Sequence, residues 1–302
     1  MSGSSGAARV ASVGRRGLLV LRSGREEPAV PSGSLMRGTR PVVGDRVLLR
    51  ESHGRLIVEE VLPRGPCLSR TLRGGAKKIL AANVDRVMIV VSVAAPPFRR
   101  AVIDRIAAAA EWQRLRTCVV LNKMDLAGDA GVPEAELRQY ELAGYPVSRI
   151  SCLTGDGLEG LLSLVRGSTV VMAGHSGVGK TSLAKRLAPG LDLRVAAVSE
   201  RSGRGRQTTT AARLVPLAKQ TFLVDTPGFR VFSVGHIPGE ELDACFPEMR
   251  PFLGACRFRD CLHLSEPECA VKDAVGRGVI PLARYEAYVT MMSDTGDETG
   301  EG

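Results

Sequence analysis

Aromatic side chains are scarce in this chain. Phe, Tyr and Trp make up 4% of its 302 residues, and none falls within the first 75. Stacking of bases on aromatic rings, a common way for small barrels to hold single-stranded nucleic acid, is therefore excluded there. Lysine is also missing from residues 1–75, which carry 13 Arg against 6 Asp or Glu. No long apolar run exists: "VMIVVSVAAPPF" at 87–98 is too short to cross a bilayer and contains prolines. The opening "MSGSSGAARVAS" lacks the apolar stretch of a secretory signal. These absences argue against a membrane partner and lead us to expect a cytoplasmic protein.

What is present points to a multidomain α/β protein. Net charge is +9, and most of the excess lies in the first quarter. A basic surface of this kind favours a polyanion such as RNA, the bland alternative being a solvated face. Residues 1–75 hold short β-type runs ("GLLVL", "RPVVGDRVLLR", "GRLIVEEVLPR") broken by Gly, Pro and Ser, without a convincing helix. This predicts a small β-barrel. "RTLRGGAKKILA" then reads as a linker. Across 76–235, apolar strands alternate with helical stretches, the signature of a doubly wound, mainly parallel sheet. Residues 236–302 form a third domain with a Cys/His segment, an amphipathic helix in "PLARYEAYVTMMSD", and an acidic, Gly-rich tail "DTGDETGEG" expected to lack order.

The sequence "GHSGVGKT" fits G-x-x-x-x-G-K-[ST] at Gly174, Gly179, Lys180 and Thr181. In such a loop the backbone of Gly174, His175, Ser176, Gly177, Val178 and Gly179 curls so that N–H groups face phosphate oxygens. Lys180 adds charge at the β/γ positions, and the Thr181 hydroxyl ligates Mg²⁺, with Ser182 following in the helix. An apolar strand enters the loop and a helix leaves it, as phosphate binding requires. This pattern serves ATP and GTP alike.

The choice of base is carried by Asn122-Lys123-Met124-Asp125 at the end of "CVVLN". A carboxylate at Asp125 accepts two hydrogen bonds from guanine N1–H and N2–H₂, whereas adenine offers an acceptor there. Ser151 and Cys152 of "SCLTGDGL" are placed to form a second loop against the base. "DTPG" at 225–228 offers Asp225 to Mg²⁺ through water and the Gly228 N–H to a γ-phosphate, although a plain strand-ending turn has the same composition. Between them, "SGRGRQTTTAARL" is a Gly- and Arg-rich loop in which Thr209 or Thr208 reaches Mg²⁺. All parts of a GTPase are thus present, with the base corner ahead of the phosphate loop. Because the ends of a doubly wound domain lie close together, joining them and cutting elsewhere preserves such a site.

Seven cysteines are unevenly spread: Cys67, Cys118, Cys152 and Cys245 are scattered, whereas Cys256, Cys261 and Cys269 cluster around His263. The pattern C-x₄-C-x-H-x₅-C supplies three thiolates and an imidazole, a closed tetrahedral set for a structural Zn²⁺.

Together, "NKMD", "GHSGVGKTS", "GRQTTT", "DTPGF" and "CRFRDCLHLSEPECAVKD" resemble the RsgA (YjeQ-type) family of circularly permuted GTPases that depend on the small ribosomal subunit. The resemblance covers nearly the whole chain. It implies an N-terminal OB-fold, a circularly permuted P-loop GTPase domain and a C-terminal zinc-binding helical domain. It further implies GTP and GDP as ligands, with Mg²⁺ and one Zn²⁺. The partners it implies are the 30S subunit and its 16S rRNA, bound late in maturation, with hydrolysis stimulated by the subunit. No DNA partner is expected, and a monomer is the default. The rival classes are a P-loop kinase or ATPase, which Asp125 disfavours, and a non-catalytic RNA-binding adaptor. One departure stands out: family members usually carry His before the switch I threonines, and this chain has Gln207. An amide both donates to and accepts from water, so Gln207 is expected to orient the attacking water. Gln207→Ala should slow single-turnover GTP hydrolysis measured with small subunits present; equal rates refute the role.

Overall fold

In the N-terminal segment, buried residues recur with period two: Ala8 and Val10, Leu18 and Val20, Val47 and Leu49, Leu56 and Val58. Strands with one buried face and one wet face arise from that alternation. In the computed structural model, which describes residues 6–14, 17–71, 76–189, 212–225, 234 and 237–297, they do so. The strands are β1 (Gly6–Gly14), β2 (Gly17–Arg22), β3 (Arg25–Pro31), β4 (Arg46–Ser52) and β5 (Arg55–Val61). β1 runs antiparallel to β2 and β4, β2 to β3, and β4 to β5, while β3 and β5 pair in parallel. The ring of five strands closes, so among the described residues each barrel strand is paired on both sides.

Two expectations for this region need correcting. A five-residue helix, α1 (Gly33–Arg37), stands where none was expected. Ser32 caps it by accepting from the Leu35 N–H at 3.3 Å, and Leu35 is buried in the barrel core. So short a helix leaves no periodic trace in sequence. The presumed linker "RTLRGGAKKILA" supplies most of a hairpin, β6 (Cys67–Thr71) with β7 (Lys77–Ala82), in antiparallel pairing. The β7 end lies tight against the barrel: Gly44 has φ +87, and a methyl there would stand 2.2 Å from the Ala82 carbonyl oxygen.

A buried ion pair fixes the barrel's rim. Asp45 is fully buried and takes Arg64 Nε at 2.7 Å and Nη2 at 2.8 Å. It also accepts from the Val42 N–H at 2.8 Å, while Arg64 reaches the Arg40 carbonyl at 2.9 Å. Hydrogen bonding to Asp45 raises the Arg64 pKa above its ordinary value.

The described residues divide into two compact units. The first comprises Met1–Val87, Glu159–Met172 and Thr181–Val231. Beyond the barrel it includes α5 (Leu158–Val165), β11 (Thr169–Ala173), α6 (Lys180–Leu187), β12 (Arg213–Ala218) and β13 (Thr221–Asp225). β11 pairs in parallel with β13, β13 antiparallel with β12, and β12 meets β1 at Ser12↔Arg213. Arg213 Nη2 bridges both carboxylate oxygens of Glu26 at 3.0 and 2.8 Å. Arg9 donates to Thr169 Oγ1 at 3.0 Å and lies 4.6 Å over the Phe222 ring.

The second unit comprises Met88–Leu158, Ala173–Lys180 and Phe232–Gly302. It holds β8 (Arg86–Ser92), α2 (Arg100–Trp112), β9 (Arg116–Asn122), α3 (Ala127–Ala130), α4 (Glu134–Leu142) and β10 (Val147–Arg149), ordered β10-β9-β8. β9 and β10 are parallel. β8 and β9 are buried almost throughout, which is why they read as continuous apolar runs. The C-terminal helices α7 (Gly239–Leu242), α8 (Ala270–Gly276) and α9 (Leu282–Asp297) share one core with α2. In it Phe246 and Tyr288 meet edge-on, with ring centroids 5.6 Å apart. Beside that core Arg284 is almost fully buried, bonded to Asp104 and, at 2.6 Å, to Glu248, and it lies 4.8 Å over the Phe246 ring. Burial raises the Asp104 pKa, with Arg284 and a 2.8 Å hydrogen bond from Tyr140 opposing. The acidic tail begins inside α9, since helix continues to Asp297; residues 298–302 lie outside the described residues.

Asp45→Ala is expected to lower stability by about 3 kcal/mol, because it strands the Arg64 guanidinium and the Val42 N–H. Denaturant unfolding with the wild-type m-value, and a loss below about 1 kcal/mol, would show the pair to be incidental.

Candidate nucleotide site and metal cluster

The base corner and the phosphate loop lie in the same unit and touch each other. β9 ends in Asn122, whose side chain is buried. Its Nδ2 donates to the Val178 carbonyl in the phosphate loop at 2.9 Å. Its Oδ1 accepts from the Cys152 N–H at 3.2 Å, so one amide ties three loops together. Gly179 is what permits the approach: its φ is +98, and a methyl there would stand 2.2 Å from Asn122 Nδ2. At the other end of the loop Gly174 has φ +143, and a methyl would stand 2.1 Å from the Val90 carbonyl oxygen. These two glycines of the sequence pattern are thus dictated by sterics.

Around Asn122 the remaining base-corner residues take up fixed positions. Lys123 is left-handed, with φ +64, and its Nζ bonds to the Ala95 carbonyl. Met124 donates its N–H to the Ile150 carbonyl at 3.1 Å. Asp125 is exposed and receives the Ser151 hydroxyl. Ser151 itself is buried, and its Oγ also accepts from the N–H groups of Leu153 and Thr154, both at 3.2 Å. This orients the carboxylate while one face stays open to solvent. Lys180 Nζ folds onto the start of its own loop, at 2.9 Å from the Gly174 and 2.6 Å from the His175 carbonyl oxygen. His175, Ser176 and Gly177 are exposed, as are Thr181 and Ser182 at the start of α6. Asp225 closes β13, and burial raises its pKa. A divalent cation at that carboxylate would offset the cost. Gln207, Thr208, Thr209 and Gly228 lie outside the described residues.

The four proposed metal ligands also converge. One donor atom from each of Cys256, Cys261, His263 and Cys269 lies within 4.8 Å of all the others. The three sulfurs stand 3.5, 3.4 and 3.3 Å from His263 Nδ1, and the Cys256 and Cys269 sulfurs are 3.8 Å apart. A tetrahedral zinc with about 2.3 Å Zn–S and 2.0–2.1 Å Zn–N bonds sets edges of roughly 3.8 and 3.5 Å, so the spacing is that of shared coordination. The donor set therefore fits Zn²⁺. Sequence reading missed the surrounding groups. Asp243 accepts from His263 Nε2 at 3.2 Å and raises the His263 pKa to about 9. Tyr285 and Tyr288 donate to the His263 and Leu262 carbonyls, each at 2.7 Å. Asp243 lies twenty positions upstream of His263 and carries no spacing signal. Such partners fix the tautomer and orientation of a ligating imidazole.

A phosphate loop reached after its base corner is the mark of a circularly permuted GTPase, and solved structures of that class match. The crystal structure of YjeQ from Thermotoga maritima aligns at TM-score 0.78 and 34% identity, covering 99% of this chain and 100% of its own. YloQ, described as a circularly permuted GTPase, aligns at TM-score 0.79 and 27% identity, covering 99% and 98%. The family model described as RsgA GTPase matches residues 61–235. Among curated relatives, the small ribosomal subunit biogenesis GTPase RsgA of Shewanella oneidensis is 42% identical over 259 residues, 83% of this chain and 73% of that protein. Its namesake from Gemmatimonas aurantiaca is 41% identical over 257 residues, 83% of each chain. The chain belongs to the RsgA GTPase family and is a GTP-hydrolysing enzyme.

Gly179→Ala should weaken GDP and GTP binding by about 100- to 1,000-fold. It breaks two hydrogen bonds of about 1 kcal/mol each at Asn122 and strains a left-handed residue by about 1–2 kcal/mol. Titration with fluorescent GDP reads the effect; near-wild-type affinity would mean the loops need not be joined there.

Proposed function

We propose that this chain is a cytoplasmic GTPase of small ribosomal subunit biogenesis, acting as a late checkpoint on the 30S particle, with hydrolysis stimulated by that particle. The observation that carries the reading is the Asn122 amide, which holds the guanine-selecting corner against the phosphate loop. The names of the relatives, small ribosomal subunit biogenesis GTPase RsgA, supply the biological context.

In this reading Asp125 selects guanine, with Lys123 and Met124 along the base and Ser151 and Cys152 closing over it. The N–H groups of 174–182 and Lys180 hold the phosphates. Thr181 and Thr209 ligate Mg²⁺ directly and Asp225 does so through water. Gln207 orients the water that attacks the γ-phosphate in line, and the Gly228 N–H holds the γ-oxygens. Zn²⁺ at Cys256, Cys261, His263 and Cys269 is structural, because the set leaves no position open for a reactant.

The barrel of residues 1–75 and the zinc-bearing domain of 236–302 are the rRNA-binding parts. Exposure of Arg25, Arg37, Arg40, Arg46 and Arg55 on the barrel supports contact with phosphate. With no aromatic ring there, binding is by charge and RNA shape, so it should be weakly sequence-selective and strongly salt-dependent. The test is co-sedimentation of the monomeric protein with 30S particles in a non-hydrolysable GTP analogue and in GDP, across a KCl series. Tighter association with the analogue, falling steeply with KCl, is expected. Equal association in both nucleotides contradicts the checkpoint role, and a shallow salt dependence contradicts binding through the barrel's arginines.

A further inference from the structure

Asp225 stands directly across from Arg213 where β13 and β12 pair antiparallel. Residues opposite one another in such a ladder put their side chains on the same face, with Cβ atoms about 4.5–5.5 Å apart. An arginine and an aspartate at these positions are suited to form an ion pair. Arg213 takes another partner instead: its Nη2 lies 3.0 and 2.8 Å from the two carboxylate oxygens of Glu26, on β3 of the barrel. Among the described residues, no ion pair or side-chain hydrogen bond engages Asp225.

The order of the strands makes that choice possible. β12 lies between β13 and β1, so Arg213 has Asp225 on one side and the barrel on the other. The pairing of Ser12 with Arg213 joins the two elements at this point. On β3 the neighbouring Glu27 is taken by Arg22 at 2.8 Å, which leaves Glu26 to Arg213. The Glu26–Arg213 pair is half exposed, with side chains 29% and 44% accessible, and pairs of this kind contribute little to stability. Its consequence is one of direction. A guanidinium held by the barrel carboxylate is kept from the carboxylate across the ladder.

We propose that Glu26 is a positioning residue of the nucleotide site: it keeps Arg213 turned toward the barrel and so leaves the Asp225 carboxylate free for a divalent cation. Without Glu26, the guanidinium turns to the carboxylate opposite it in the ladder. A carboxylate paired with a guanidinium has less charge to offer Mg²⁺, which is held by one or two carboxylates together with the phosphates. The effect is electrostatic, so it acts through a bridging water as well as by direct contact. The barrel thereby supports metal binding at the nucleotide site through a single side chain.

The inference rests on Asp225 being the carboxylate of the Mg²⁺ site, and the experiment separates the two ideas. Affinity for a fluorescent, non-hydrolysable GTP analogue is titrated in Mg²⁺ and in EDTA. The full-length wild type is compared with Glu26→Ala, Arg213→Ala, the double variant and Asp225→Asn. Glu26→Ala should cut the gain in affinity that Mg²⁺ brings by about fivefold, whereas Arg213→Ala and the double variant should keep the wild-type gain. Rescue of this kind distinguishes the proposal from a purely structural pair, which suffers equally from either deletion. A wild-type Mg²⁺ gain in Glu26→Ala overturns the proposal. So does an equal loss in Arg213→Ala, or a double variant no better than Glu26→Ala. Failure of the Mg²⁺ assignment looks different: Asp225→Asn would itself keep the wild-type gain, and the proposal falls with it.

Discussion

Two hydrogen bonds from one buried amide hold the nucleotide site together. Asn122 joins the end of β9 to the phosphate loop through Val178 and to the second base loop through Cys152. An asparagine suits the place because it donates and accepts at once, and because its short stem keeps the three loops close. Glycine at 179 is the matching condition on the other side, since any side chain there would meet the amide. The order of the motifs in the sequence becomes irrelevant to the chemistry once this contact exists. Loops separated by fifty-six positions meet as if they were consecutive.

The C-terminal region is organised by a different kind of constraint. Its stretch around the cysteines is short and polar, and its helices owe their positions to a core they share with α2. The metal cluster is wired into that core: His263 reaches Asp243, and the Tyr285 and Tyr288 hydroxyls hold the backbone beside it. The buried Arg284 binds Asp104 of α2 and Glu248 within the same unit. Such buried pairs add little net stability against an apolar substitute, yet they tolerate only one geometry and so fix how α9 meets α2. The C-terminal helices thus share a core with α2 and are tied to it through Arg284.

At the other end of the chain, the closed barrel is joined to β12, the strand that leads into β13 and Asp225. Ser12 pairs with Arg213, whose guanidinium holds Glu26. Arg9 spans the same seam to Thr169 and Phe222. Several arginines that count toward the basic charge are thus engaged internally, and the polyanion-facing surface consists of the others.

Local chemistry was legible from the residues alone. Phosphate loops need glycines at set intervals followed by Lys and Thr. A guanine-selecting corner needs its carboxylate three positions after an asparagine. A zinc cluster needs soft donors spaced to converge. Each is a short-range rule, so the linear pattern carries it, and the short β-type runs of residues 1–75, broken by Gly, Pro and Ser, pointed to the barrel in the same way. The hairpin within "RTLRGGAKKILA" and the five-residue α1 were not legible, because strands and helices so short depend on partners more than on pattern. Nor were Asp243 beside His263, Arg64 on Asp45, or Arg284 among its carboxylates, since each pair is separated by between about 19 and 180 positions and neither member is unusual by itself. Sequence proposed which groups the site contains, and the structure brings together those of the base corner, the phosphate loop and the Cys/His cluster. Tertiary structure decided which groups hold them in place, because long-range contacts are set by packing and leave no periodic mark on the chain.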